Sequence, residues 1–187
     1  SVSAFGGLRL SSIDSNEILP KYADSITTFS NNCFGQVSAI SGISLEIPHV
    51  LLGGKYPTID ELSSYTSEIR SKGLFVHVDG ARLYNLVATN YYDPRDFGKC
   101  CNTISLCFSK TLGAPMGSIL MGEHEVIEKA RYFRKMIGGT VRQAALSSQL
   151  CHFALDNSEH TVNTALNNAN TLEYILKRYN YNILERP

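Results

Sequence analysis

The sequence LFVHVDGARLYN, residues 74–85, joins a short apolar run to a polar turn. Its first five residues, Leu74–Val78, are rich in β-branched and aromatic side chains and are too few for a helix. Asp79 and Gly80 follow at once, and Gly is a strong turn signal. This pattern predicts a buried central strand that ends at Asp79, with a helix over Leu83–Ala88 behind it.

On both sides of this stretch, predicted strands alternate with predicted helices. Upstream, Thr58 and Glu61 have the spacing of a capping box, which predicts a helix that starts at Thr58 and ends near Gly73. The other predicted strands are Gly42–Ile47, Asn102–Ser109, Gly117–Gly122 and a short one at Tyr181–Leu184. The other predicted helices are Glu125–Ile137, Val141–Leu155 and Thr161–Arg178, with one further helix around Ile13–Tyr22. This alternation predicts an α/β fold with a mainly parallel sheet flanked by helices.

Composition and charge narrow the class of protein. The chain has 187 residues, of which 17 are basic and 17 acidic, and no segment concentrates one sign of charge. We therefore expect no nucleic-acid partner, and without an apolar run of about 18 residues we expect no membrane span. The five cysteines are odd in number and lack CxxC spacing, which argues against a disulfide framework and a zinc site. We therefore expect the protein to work in a reducing compartment, which is the cytoplasm. We also expect it to bind a small molecule.

Two polar side chains stand where predicted strands end. Asp79 follows LFVHV, and Lys110 follows SLCFS. In open α/β sheets ligands gather at the carboxyl ends of the strands, so both groups can enter one pocket. A lysine amine can form an imine with an aldehyde, and a carboxylate can keep a pyridine nitrogen protonated. Arg82, three residues after Asp79, can add a donor, although a helix cap and a solvated lysine are the ordinary alternatives.

Three motifs in succession give the chain a family resemblance. They are HVDGARLYN (residues 77–85), CFSKTLGAPMGSILMG (residues 107–122) and RKMIGGTVRQAA (residues 134–145), preceded by LEIPHVLLGGKYPTIDEL (residues 45–62). Together they resemble the threonine aldolase family, including relatives named β-eliminating lyases, over about three-fifths of the chain. The resemblance implies pyridoxal 5'-phosphate as cofactor and the central part of an aspartate-aminotransferase-like large domain. Residues 1–155 would be that partial cofactor-binding domain, and residues 156–187 a linking helix and the start of a truncated small C-terminal domain.

The resemblance also implies a role for individual residues. Lys110 matches the Schiff-base lysine, Asp79 the partner of the pyridine nitrogen, and Arg82 the arginine near the phenolate oxygen and the substrate carboxylate. Lys135 and Arg142 match basic residues near the cofactor phosphate or the subunit contact, with a basic helix face as the plain alternative. His49 stands where the family often has an imidazole near the substrate hydroxyl, but the spacing of its loop is loose. The remaining histidines have no metal-ligand spacing, so we expect no metal site.

The activity implied is cleavage of a β-hydroxy-α-amino acid such as threonine to glycine and an aldehyde, in a homodimer or homotetramer. The family's Gly-rich phosphate turn, its stacking ring and its N-terminal serine are not identifiable, and the chain ends before the family's C-terminal arginine. We therefore expect a central fragment. Two alternatives stay open: β-elimination on the same cofactor, and a truncated paralogue without catalysis that acts as an interaction module.

Overall fold

A computed structural model describes residues 17–19, 40–90 and 92–183 of the chain. Its centre is a four-stranded sheet whose strands lie side by side in chain order. The strands are β1 (Gly42–Glu46), β2 (Phe75–Asp79), β3 (Thr103–Cys107) and β4 (Ser118–Gly122). β1 pairs with β2 and β2 with β3 in parallel, whereas β4 is antiparallel to β3. The predicted α/β class with a mainly parallel sheet is confirmed.

Helices connect the parallel strands and follow the last strand. They are α1 (Ile59–Ser71), α2 (Leu83–Asn90), α3 (Pro94–Lys99), α4 (His124–Met136), α5 (Ala144–Asp156) and α6 (Ser158–Arg178), with a 3-10 turn at Val50–Leu52. The parallel pairing of β1 with β2 requires a crossover, which α1 supplies. Within the described ranges, no helix combines the length and the apolar character that crossing a bilayer requires.

The start of α1 confirms the predicted capping box. Thr58 Oγ1 accepts from the backbone N–H of Glu61 at 3.3 Å, and Glu61 Oε2 accepts from the backbone N–H of Thr58 at 2.8 Å. These bonds satisfy two of the N–H groups that a helix start leaves open. Gly73 follows the helix with φ +74°, a conformation that glycine adopts without steric cost.

Alternation along the strands gives the sheet one apolar face and one polar face. Successive side chains of a strand point to opposite sides, so residues 76 and 78 face away from residues 77 and 79. The apolar side packs with α1 and α3 into the core, which includes Leu62, Ile69, Val76, Val78, Phe97, Ile104 and Leu106. The other face carries His77, Asp79, Thr103, Ser105 and Cys107. The chemistry of the chain therefore lies on the face opposite its core.

The last predicted strand is wrong. Tyr181–Ile183 form no strand, since no described strand lies beside them to accept their hydrogen bonds, and Leu184 falls outside the described residues. The helix around Ile13–Tyr22 also falls outside them, apart from residues 17–19, which are irregular. Helix α3 was not predicted. The domain boundary after residue 155 stays a prediction.

Candidate active site

Asp79 ends β2 with one carboxylate oxygen already held. In the parallel register it lies opposite Ser105 of β3. The backbone N–H of Ala81 donates to Asp79 Oδ1 at 3.0 Å, and Ser105 Oγ lies 3.5 Å from the same oxygen. Among the described residues, Oδ2 has no hydrogen-bond partner. The half-buried carboxylate is thus oriented through one oxygen and free to bind through the other.

The residue after Asp79 must be a glycine, because its backbone lies against β3. Its backbone N–H donates to the carbonyl of Ser105 at 2.9 Å, which extends the contact between β2 and β3 past the last residue of the strand. A Cβ at this position would lie 2.8 Å from that carbonyl oxygen, too close for any side chain. Glycine therefore lets the Asp79 turn lie flat against β3.

Lys110 lies in the turn that follows β3. Its carbonyl accepts from the N–H of Gly113 at 3.0 Å, and its side chain is exposed. Within the described part of the chain the amine forms no hydrogen bond and no ion pair. Because β2 and β3 are adjacent and parallel, Asp79 and Lys110 leave the sheet at the same edge. The structure therefore places Asp79 at the end of one strand and Lys110 in the turn after its parallel neighbour, as the sequence predicted.

Arg82 belongs to the same edge of the sheet. It lies in the turn between β2 and α2, one residue before the helix. Its carbonyl accepts from the N–H of Asn85 at 3.0 Å, which starts the helix. The half-buried guanidinium has no hydrogen-bond partner among the described residues.

His49 lies in the loop that follows β1, whose last residue pairs with Asp79. Its N–H donates to the carbonyl of Lys55 at 2.8 Å, and its carbonyl accepts from Gly54 at 2.9 Å, so the loop folds back on itself. Its Nδ1 atom is buried without a hydrogen-bond partner in the described structure. Buried polar atoms are nearly always paired. A group outside the described residues is therefore expected to bond with this nitrogen.

Lys135 and Arg142 lie on the part of the chain that follows β4. Lys135 is in the last turn of α4, and Arg142 is in the turn before α5. Both side chains are exposed, and in the described ranges neither forms a hydrogen bond or an ion pair. Among the described residues, no hydrogen bond or ion pair connects them to Lys110 or to Asp79.

Two further titratable residues, His77 and Cys107, lie on the same face of the sheet as Asp79. His77, two residues before Asp79, has its Nδ1 2.9 Å from Thr103 Oγ1. Burial lowers the pKa of His77, and the opposing effects of the Asp79 charge and the Thr103 bond are smaller. The spacing to Asp79 was the signal that could have identified this residue.

The thiol of Cys107, at the end of β3, has a pKa below its ordinary value. Burial raises the pKa of Cys107. The hydrogen bonds with Ser109 and the charge of Lys110 together lower it by more than burial raises it, so the net shift of the pKa is downward. Its Sγ lies 3.3 Å from Ser109 Oγ. The charge of Lys110 thus acts on the last residue of β3.

Taken together, the carboxyl edge of the sheet presents a carboxylate, a guanidinium and a primary amine, each with an atom available for a ligand. This donor set fits a ring that carries an aldehyde, a basic nitrogen and an acidic oxygen, which is the chemistry of pyridoxal phosphate. An unpaired buried imidazole nitrogen lies in the loop beside them.

Comparison with known proteins identifies relatives. Residues 16–187 match the family described as Beta-eliminating lyase. The chain is 41% identical over 114 residues to an aldolase of Penicillium aethiopicum, and 40% identical over 113 residues to a low-specificity L-threonine aldolase of Eremothecium gossypii. These matches cover 61% and 60% of this chain but 29% of each relative, so the chain spans less than a third of their length.

The fold has a solved counterpart. The structure of a threonine aldolase from Leishmania major superimposes with a TM-score of 0.76, at 17% identity, over 97% of this chain and 53% of that one. At this identity the likeness concerns the fold.

Proposed function

Because the chain belongs to the beta-eliminating lyase family, we propose that its protein is a pyridoxal-phosphate-dependent lyase that cleaves a β-hydroxy-α-amino acid, such as threonine, to glycine and an aldehyde. The observation that carries the proposal is the pair Asp79 and Lys110. They leave adjacent parallel strands at one edge, and in the part of the chain that the structure describes each keeps an unpaired functional atom. The threonine aldolases among the relatives support the choice of substrate.

When bound, pyridoxal phosphate supplies the ring into which electrons flow when a bond at the substrate α-carbon breaks. Lys110 Nζ would hold the group covalently, since its amine is exposed and unpaired. Asp79 would keep the ring nitrogen protonated. An anion at this position favours the protonated ring, and the bond from Ala81 keeps the carboxylate in place.

Arg82 and His49 would act on the substrate. Arg82 offers several N–H donors in a planar fork, which suits a carboxylate or the phenolate oxygen of the ring. His49 would hold or accept the proton of the β-hydroxyl, and its unpaired Nδ1 supports this role. Removing that proton is what cleavage between the α- and β-carbons requires of a base.

Lys135 and Arg142 would act across a subunit contact. Both are exposed and unpaired within the described residues, and no contact brings them to their own Lys110. In a homodimer or homotetramer they would lie near the cofactor phosphate of a neighbouring subunit. Two cations near a dianionic phosphate are favourable at that position.

A related activity, β-elimination, is the second candidate, because the family as a whole takes its name from it. It uses the same Lys110 and Asp79 but breaks the bond to a leaving group on the β-carbon. The two reactions differ in their products: an aldolase releases glycine and an aldehyde, whereas an eliminase releases ammonia and a keto acid.

The test is a product assay on the complete natural protein with added pyridoxal 5'-phosphate. We expect L-threonine to give glycine and acetaldehyde in equal amounts, and Lys110→Ala to abolish both. Ammonia and a keto acid from L-serine, with no glycine from L-threonine, would establish the second candidate instead. If neither set of products forms, both proposals are wrong, and the role of interaction module remains.

A further inference from the structure

The loop that carries Lys110 is fixed at its base. It runs from Phe108 to Gly117, between β3 and β4. The N–H of Phe108 donates to the carbonyl of Gly117 at 3.0 Å, and the N–H of Ala114 donates to the carbonyl of Phe108 at 2.9 Å. These bonds close the base, and Phe108, Leu112 and Ala114 of the loop are buried in the hydrophobic core.

Helix α5 makes a further contact with this loop, at the C-terminal end of the loop. Cys151 Sγ donates to the carbonyl of Met116 at 3.4 Å, and Ser147 Oγ donates to Met116 Sδ at 3.5 Å. Ser147 and Cys151 are four residues apart, so they lie one turn apart on the same face of the helix. That face of α5 therefore holds Met116, the residue before the last one of the loop.

The contact depends on small groups on both sides. Gly117 has φ +118°, and a Cβ built on it would lie 2.7 Å from Cys151 Sγ. A real pair of heavy atoms would not approach so closely, so the thiol occupies the space that a side chain at Gly117 would need. Cys151 is also half-buried against the hydrophobic core, which fixes its own position.

We infer that Cys151 is a positioning residue for Lys110: its thiol holds the C-terminal end of the 108–117 loop, at Met116 and Gly117, and thereby influences where the amine is presented. Cys151 does not touch the reacting atoms, because it acts through Met116 and Gly117. The functional meaning of this inference rests on the proposed function, in which Lys110 is the covalent anchor. The structural part of the inference is that Cys151 affects how stably the loop is held and how accessible Lys110 is. Both properties can be measured without any cofactor.

The experiment compares three variants of the complete natural protein. Cys151→Leu overfills the space beside Gly117, Cys151→Ala removes the S–H donor but keeps the space, and Ser148→Leu adds the same bulk at an exposed site of the same helix. Two readouts are taken without cofactor: hydrogen exchange of the Phe108, Gly113 and Ala114 amides, and the labelling rate of Lys110 by an amine reagent relative to that of Lys129. Attachment of pyridoxal 5'-phosphate to Lys110 is measured separately.

We expect Cys151→Leu to change amide exchange in the loop and relative Lys110 labelling by at least about tenfold, and Cys151→Ala by roughly threefold, the effect of losing one weak hydrogen bond. Ser148→Leu should leave both unchanged. Should Cys151→Leu fail to fold, Cys151→Ala decides the matter. Exchange and labelling that match the unmodified protein in Cys151→Ala would overturn the inference.

The attachment measurement separates this inference from the proposed function. If the unmodified protein attaches no cofactor at Lys110, the proposed function is wrong, while the loop readouts still decide the role of Cys151. If the unmodified protein attaches cofactor, slower attachment in Cys151→Leu than in Ser148→Leu supports the inference. Equal attachment in those two variants contradicts it.

Discussion

The Asp79 carboxylate uses its two oxygens for different purposes. Oδ1 is held by the N–H of Ala81 and lies near the hydroxyl of Ser105, whereas Oδ2 is left for a ligand. Gly80 makes this possible, because it lets the turn approach the backbone of β3. The unpaired oxygen of Asp79 and the unpaired amine of Lys110 are the two atoms on which the proposed chemistry depends.

Asp79→Asn should separate cofactor attachment from turnover. The amide oxygen of asparagine can still accept from Ala81, so the turn should keep its shape, but a neutral amide cannot stabilise a protonated ring nitrogen. We expect attachment at Lys110 to persist while turnover falls by roughly a hundredfold or more, the range for a lost proton-holding group. The control Asp60→Asn changes an exposed aspartate of α1 and should alter neither. Parallel loss of attachment and turnover would instead indicate a structural role for Asp79.

His77 should titrate below the usual histidine range, and its pKa should respond to Asp79. Since burial lowers the pKa and the Asp79 charge partly restores it, Asp79→Asn should lower the pKa of His77 further. The unfolded chain then binds the proton more readily than the folded one, so His77 reduces stability as pH falls below about 6.5 and has no effect above it. An NMR titration of the imidazole checks this, and a pKa at or above the ordinary value would contradict it.

At the scale of elements, α1 holds the sheet from its apolar side. Its capping box defines where it starts, and Leu62 and Ile69, two turns apart, are fully buried. Thr66 lies between them, buried, with its hydroxyl bonded to the carbonyl of Leu62 at 2.8 Å, so its polar atom is satisfied inside the core. The helix therefore places β1 and β2 side by side and aligns the ends where the site forms.

Leu62→Ala should be strongly destabilising. The side chain has no exposed surface, so its removal leaves a cavity that costs about 3 kcal/mol of unfolding free energy. Leu51→Ala is a matched control, because Leu51 is 89% exposed and its truncation should cost less than about 0.5 kcal/mol. Urea unfolding of the complete protein measures both. Equal losses would mean that α1 does not pack on the sheet in the way described.

At the scale of the whole molecule, α4 and β4 carry large apolar side chains that are exposed. On α4 and at the residue that caps its C-terminal end, Tyr132, Phe133, Met136 and Ile137 are each more than half exposed. All five residues of β4 are exposed as well. Exposed apolar side chains grouped in this way are the kind of surface that a subunit contact would cover. The low share of each relative that the chain covers is consistent with surfaces that other parts of a longer subunit or a second subunit contact.

We predict that the complete protein forms at least a homodimer through the face of α4. Phe133→Glu places a charge in that surface and should lower the mass in sedimentation to that of a monomer. Lys129→Ala, an exposed change on the same helix, should leave the mass unchanged. A monomeric unmodified protein at micromolar concentration would contradict the prediction, and with it the roles proposed for Lys135 and Arg142.

The sequence was sufficient for the sheet, because its strands are short apolar runs followed by Gly or polar residues. It was sufficient for α1 too, since a capping box is a local pattern. Helix α3 was missed because PRDFGK contains a glycine and one apolar residue, although Asp93 and Pro94 at its start are a recognised cap and first-turn pair. The strand predicted at Tyr181 failed because a strand needs a neighbour, which local sequence does not reveal.

For the site, the strand-end positions of Asp79 and Lys110 follow from local pattern and the rule for parallel sheets. The contact of Cys151 with the Lys110 loop could not be predicted, because it joins residues 35 apart through a close approach at Gly117. The unpaired Nδ1 of His49 is likewise a result of packing. The sequence did not predict contacts between residues that are far apart along the chain and come together only through packing.

The central claim is that Lys110 anchors pyridoxal phosphate, and borohydride reduction with peptide mapping tests it most directly. The complete protein is incubated with pyridoxal 5'-phosphate, reduced and digested, and the modified lysine is located by mass spectrometry. We predict modification at Lys110 at one group per chain, and none at this position in Lys110→Ala. Modification of another lysine in its place, or none at all, would contradict the claim.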